Sequence, residues 1–203
     1  IRWPIDCQVS AVDATPVGEG AVSSRVPESL VHDLYRVSEH KGIHTRMDWT
    51  PLQADLAKIR LSNPGPDIDQ LFEALPWDVE VSRQFPQQHH VNIQELSAVC
   101  NRLQALVEGG TRSKRHVCGS DSQVAIGAWS KGRSSSKRLL RVLRRALGYS
   151  ILGRVKLHLL YVNTHSNPSD APSRFSAMKE PIPMPIWCQH YFPTFEKPTS
   201  SLS

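Results

Sequence analysis

A chain of 203 residues with 39% hydrophobic content is long enough for one domain with a real core. No apolar run reaches the ~18 residues that a bilayer span needs, which argues against a membrane protein, and no stretch reads as a signal peptide. The formal net charge is only +5, yet residues 111–160 carry twelve Lys and Arg against a single acid, Asp121. That surplus suits a polyanionic partner or, equally, a solvated charged face.

The first predicted strand, 6–13, ends at Asp13. Pro16 and Gly18 punctuate a turn, and 18–26 returns as the second strand of a hairpin, with Gly18 and Gly20 leaving the backbone bare. Pro27 opens a helix over 27–42 with Leu30, Leu34 and Val37 on one face. Residues 43–76 are proline-interrupted, with short helical patterns near 52–60 and 67–75, so 27–76 reads as an insertion before a third strand at 77–85. Asn92 to Glu108 has the apolar stripe of a helix, from Leu96 to Val107, and Asn92 with Glu95 fits a capping box. Gly109 and Gly110 end it.

A fourth strand, about 114–120, leads to Asp121, then to a helix-compatible run with Val124, Ile126, Ala128 and Trp129. Ser134 to Ser136 offer caps for a helix over about 136–148, apolar on one side and basic on the other. A fifth strand is expected at 154–163. Asn167 and Pro168 set a helix start that places Asp170 in the first turn. The domain is expected to span 1–178, and the proline-rich 179–203 reads as an extended tail. The start at Ile1 rather than Met suggests a piece of something longer.

Four cysteines, at 7, 100, 118 and 188, form no CxxC pair, which disfavours both a zinc ribbon and a disulfide scaffold. A reduced, intracellular setting is expected, with nucleus or cytoplasm left open. His89 and His90 lack a second pair at metal-ligand spacing.

Four acids occupy comparable places. Asp13 and Asp121 end strands, and Glu95 and Asp170 open helices. Each alone is explained as a turn former or a helix cap. Together they could meet at one edge of a sheet, where ligands of open α/β sheets gather. Crowded carboxylates stay ionised only beside cations, and an all-oxygen set suits Mg²⁺ or Mn²⁺.

The local words around these acids are specific. DATPVGEGAV, IQELSAVCNRL, SDSQVAIGAW and NPSDAPSR resemble, in order, the four motifs of ribonuclease H type 1. The third and fourth are closest to those of retroviral and DIRS-like retroelement reverse transcriptases. The resemblance implies a ribonuclease H-like α/β fold, a mixed five-stranded sheet with helices on both faces. It implies a two-metal (Mg²⁺ or Mn²⁺) endonuclease that cuts the RNA strand of RNA–DNA hybrids, with a polymerase domain as a partner outside this chain. Asp13, Glu95, Asp121 and Asp170 would be the catalytic metal ligands. The main chain at Gly18 and Gly20 and the side chain of Gln123 would follow the minor groove, where 2′-hydroxyls are exposed. From charge alone, Lys131, Arg133, Lys137 and Arg138 are candidate phosphate contacts. Many family members carry a histidine upstream of the last acid that helps product leave. Here Tyr161 stands near that place, and His165 is the candidate for the role.

The alternative is a non-catalytic nucleic-acid-binding module of the same fold. A proofreading exonuclease would carry Asp-x-Glu on the first strand, where this chain has Asp13-Ala14-Thr15. An integrase would need an acid between Asp121 and Asp170, and none occurs.

Overall fold

The structure, a computed structural model, describes residues 2–40 and 66–192. Its centre is a mixed five-stranded sheet. The strands are β1 (Ile5–Ala14), β2 (Gly18–Arg25), β3 (Asp78–Gln84), β4 (Arg115–Ser120) and β5 (Lys156–Tyr161). They lie in the order β3-β2-β1-β4-β5. The first three form an antiparallel meander, and β4 and β5 join β1 in parallel. The pleat sends alternate residues of β1 to opposite layers. Val9 and Ala11 enter one apolar cluster, and Val12 and Ala14 enter another.

Helices cover both faces, as expected. On one side lie α3 (Val91–Glu108), α4 (Gln123–Lys131) and α5 (Lys137–Gly153). Leu96, Val99, Leu103 and Leu106 of α3 are buried, which is the stripe its sequence shows. The other side is covered by α1 (Glu28–Val37) and α2 (Pro66–Ala74), both drawn from the segment between β2 and β3. Leu30, Val31 and Leu34 of α1 and Leu71 and Phe72 of α2 are buried there. The described parts of this insertion therefore form the second layer of the core. A Cβ on Gly119 of β4 would stand 2.5 Å from the Phe72 ring, so only glycine lets α2 settle this close to the sheet. The helical pattern near 52–60 lies outside the described residues.

Three boundaries differ from the sequence expectation. The cap of α3 is His90, whose side chain accepts from Asn92 N–H, so the Asn92–Glu95 capping box does not form. The basic helix α5 runs on to Gly153, and Arg154 closes it in the left-handed conformation, φ 54°. Its length shortens the expected fifth strand at the start. Residues 186–191, within the tail expected to be extended, form a 3₁₀ helix with Cys188 buried in the α1–α2 layer. Pro185 precedes that turn and Cys188 supplies its apolar anchor.

A polar chain crosses the core under α3. The Arg102 Nε–H donates to Ser10 Oγ (2.7 Å), Ser10 lies 2.8 Å from His116 Nε2, and His116 Nδ1 lies 3.3 Å from Asp6 Oδ2. Ionised Asp6 can only accept, so His116 Nδ1 carries the proton and donates to it, and Nε2 accepts from the Ser10 hydroxyl. Burial is the largest influence on His116 and lowers its pKa, so the ring is neutral. The order serine, histidine, aspartate is that of a nucleophile and its base. Ser10 is 0% exposed, however, and no substrate reaches it. The chain ties β1, β4 and α3 together.

Candidate acidic site and nucleic-acid interface

Parallel pairing of β1 with β4 sets Ala11 beside Gly119. Carried two residues further, that register puts Asp13 level with Asp121, at the ~5 Å backbone spacing of adjacent strands. Asp121 follows the last residue of β4, and Asp170 opens the short helix α6 (Asp170–Ser173). Asn167 fixes α6 over the strands: its side-chain amide donates to the Val12 carbonyl (3.2 Å), and its Oδ1 accepts from Ser169 N–H and Oγ–H. Asn167 thus tethers the turn to β1 and does not serve as a helix cap.

The carboxylates feel one another. Asp13 is only 8% exposed. Burial first, and then the charges of Asp121 and Asp170, raise its pKa from 3.8 to about 6, against the opposing hydrogen bond from Ser173. Burial, followed by the charge of Asp121, also raises the pKa of Glu95, although Ser122 donates to its carboxylate (2.5 Å). The charge of Asp121 thus acts on both Asp13 and Glu95, and that of Asp170 acts on Asp13.

Local donors hold three of the four. Ser173 Oγ stands 2.5 Å from Asp13 Oδ2 and 2.8 Å from the Asp170 carbonyl. The Arg174 guanidinium pairs with the Asp170 carboxylate at 2.8 Å, and its pKa is raised chiefly by that bond. Among the described residues, no three His, Cys, Asp or Glu side chains converge as a ready-made metal cage. The donor set still fits a hard divalent ion, because every candidate ligand is a carboxylate oxygen and the cluster carries negative charge that raises the pKa of Asp13. Ser122, Ser173 and Arg174 are hydrogen-bonding neighbours of the acids that the reading of acids alone passed over. SDS and NPSDAPSR contain them, in the residues flanking Asp121 and Asp170.

The main chain at Gly18 and Gly20 is not available to a nucleic acid, which corrects the expectation for both. Each is buried. A Cβ at Gly20 would lie 2.4 Å from the Ser169 carbonyl oxygen, and one at Gly18 would lie 2.6 Å from the Phe175 ring. These glycines let α6 pack on β2, which keeps Asp170 near Asp13.

Gln123, the exposed first residue of α4, shares an open groove of about 550 Å³ with Lys131 and Arg133. Gly132, left-handed at φ 64°, ends α4 between the two cations. Lys137 and Arg138 lie exposed on the first turn of α5, outside the lining of that groove. None of these four cations forms an ion pair among the described residues. His165, in the 3₁₀ turn Thr164–Ser166, is exposed and lines a cavity of about 430 Å³ together with Asp170. Among the described residues, no helix is long and apolar enough to cross a membrane.

Strand order and layering define a ribonuclease H-like α/β fold. No family model and no curated protein matches the chain. Among solved structures it is similar to the N-terminal RNase H domain of Rv2228c from Mycobacterium tuberculosis, determined as a fusion with maltose-binding protein. The identity is 12%, the match covers 85% of this chain and 97% of that one, and the TM-score is 0.46. A likeness of this size says nothing of the chemistry of this chain.

Proposed function

We propose that this chain is a ribonuclease H-type nuclease domain of a retroelement reverse transcriptase, or a relic of one. It hydrolyses the RNA strand of RNA–DNA hybrids with Mg²⁺ or Mn²⁺. The observation that supports the reading is the β1–β4 register that sets Asp13 level with Asp121, with the charges of Asp121 and Asp170 both acting on Asp13. A carboxylate perturbed by burial together with specific charged neighbours is a candidate for a functional site.

Asp13, Glu95, Asp121 and Asp170 would hold the ions. When bound, a pair of such ions supplies an activated water and stabilises the departing oxygen of a phosphodiester. The chain's own residues do the rest. Arg174 neutralises Asp170 and orients it from one turn away. Ser122 and Ser173 position Glu95 and Asp13 by donating to them. Gln123 faces the minor groove, where the 2′-hydroxyl separates RNA from DNA. Lys131 and Arg133 line the groove that continues from it, with Lys137 and Arg138 beyond, and grip DNA-strand phosphates. His165, beside Asp170 on the cavity wall, assists product release.

A second reading, a non-catalytic hybrid-binding module of the same fold, is favoured by one observation: no three acids are preset as a metal cage among the described residues. One experiment separates the two. A labelled RNA–DNA hybrid is incubated with the wild-type chain and with Asp121→Asn, in Mg²⁺, in Mn²⁺ and in EDTA. Cleavage that needs metal and vanishes in the variant supports the nuclease. Salt-sensitive binding without cleavage supports the module. Equal cleavage by both proteins refutes catalysis at this site.

A further inference from the structure

A second cavity, of about 260 Å³, opens at the β5 edge of the sheet, among α4, α5 and the residues that follow α1. Trp129, Leu140, Leu143 and Leu157 give it apolar walls, and Arg144 and Lys156 put positive charge on its lining. Two polar side chains in the same lining are left without a partner. Ser130 Oγ and His158 Nε2 are buried and find no hydrogen-bond partner among the described residues. His158 is 3% exposed, with Tyr35 and His40 packed against its ring.

From the cavity the same side of α5 continues with apolar residues that none of the described residues covers. Leu147 and Ile151, one turn apart, are 59% and 69% exposed, and the adjacent Leu152 is 70% exposed. Side chains four residues apart stack on one face, so Leu147, on the cavity lining, and Ile151 extend its apolar surface along the helix. Nucleic acid would answer the cations but offers no apolar face to the leucines. A second copy would bring the basic face of its own α5 against this one, since a two-fold contact apposes like with like. Glu39 is the single acid in the lining, and it is already engaged.

We propose that this groove docks an acidic amphipathic helical segment of a partner protein. One of its apolar side chains enters the cavity between Leu143 and Leu157. Its flanking carboxylates meet Arg144 and Lys156. The inference is independent of the nuclease reading, because neither Leu147 nor Ile151 belongs to the acidic site.

The test selects a displayed library of random peptides on the folded wild-type chain, with counter-selection on Leu147→Asp/Ile151→Asp. Both substitutions fall on exposed positions, and circular dichroism confirms the fold of the variant. The expected outcome is enrichment of peptides with Asp and Glu around apolar residues at helical spacing. A labelled peptide of that set loses about tenfold or more in affinity on the double variant, as truncated anchors do, and its binding shifts the His158 ring proton signals. The proposal is overturned if no peptide survives counter-selection, if the survivors are basic, or if the ring signals stay in place. It is also overturned if an RNA–DNA hybrid displaces the peptide, which makes the groove a nucleic-acid surface. Sedimentation showing a dimer that the double variant abolishes would assign the groove to a second copy and overturn it as well.

Discussion

Replacing Asp13 by asparagine removes a charge that the fold accommodates at a cost. The pKa of the group rises from 3.8 to about 6 in the folded chain, with burial as the first cause. For an acid raised on folding the sign is fixed. Below 3.8 both states are protonated and the group contributes nothing. Between 3.8 and about 6 the unfolded chain ionises first, so stability falls as pH rises. Above that the full penalty applies, about 3 kcal/mol at ~1.4 kcal/mol per pKa unit. By the same linkage the penalty is about 1 kcal/mol at pH 4.5. Asparagine keeps an oxygen for the Ser173 hydroxyl and has nothing to ionise. In EDTA, Asp13→Asn should therefore be more stable than wild type at pH 7.5, with an advantage about 2 kcal/mol larger than at pH 4.5. Urea denaturation at the two pH values reads this as a widening gap between midpoints, on the order of 1 M. Equal gaps at both pH values, or a variant less stable at pH 7.5, would refute the account of Asp13 as a charge held against its neighbours.

Other residues test the remaining parts of the structure. Ser122→Ala removes the hydroxyl that caps α4 through Ala125 N–H and donates to Glu95; it should cost about 1 kcal/mol in urea denaturation and slow any cleavage further. Phe72→Ala empties the space between α2 and β4, and a destabilisation of about 3–5 kcal/mol is expected; a change below 1 kcal/mol would show that the insertion is not part of the core. Neutralising Lys131, Arg133, Lys137 and Arg138 together should flatten the dependence of hybrid affinity on salt, by about 0.9 in the logarithmic slope for each phosphate that these side chains neutralise. An unchanged slope in a titration by anisotropy would remove these residues from the interface.

The sheet was legible because short β-compatible runs stand between turn and helix signals, with Asp13 and Asp121 at or next to the ends of two of them, and α3 because of its apolar stripe. Local sequence could not decide the caps. Asn92 and Glu95 have the right spacing for a capping box, yet His90 holds the first turn and leaves Glu95 to the serine before α4. That exchange depends on where α3 meets α4, through two residues 27 apart in the chain. The insertion was legible as helical pieces but not as the second core layer, since nothing in Leu71 or Phe72 says which sheet face is vacant.

Gly18 and Gly20 show how a motif can be recognised while its physical purpose is misplaced. Glycine next to a strand that ends in an acid reads as backbone laid bare for a ligand. In the fold the same lack of a side chain is used by Ser169 and Phe175, which press onto β2 from above. Asp170 is carried by that closing turn, Asn167 ties the turn to Val12, and Ser173 reaches Asp13. The hairpin glycines therefore serve the acids indirectly: they set how near the last carboxylate comes to the first. A side chain at Gly20 would push the turn outward and carry Asp170 and the Ser173 hydroxyl away from Asp13 together, even though residue 20 touches neither carboxylate.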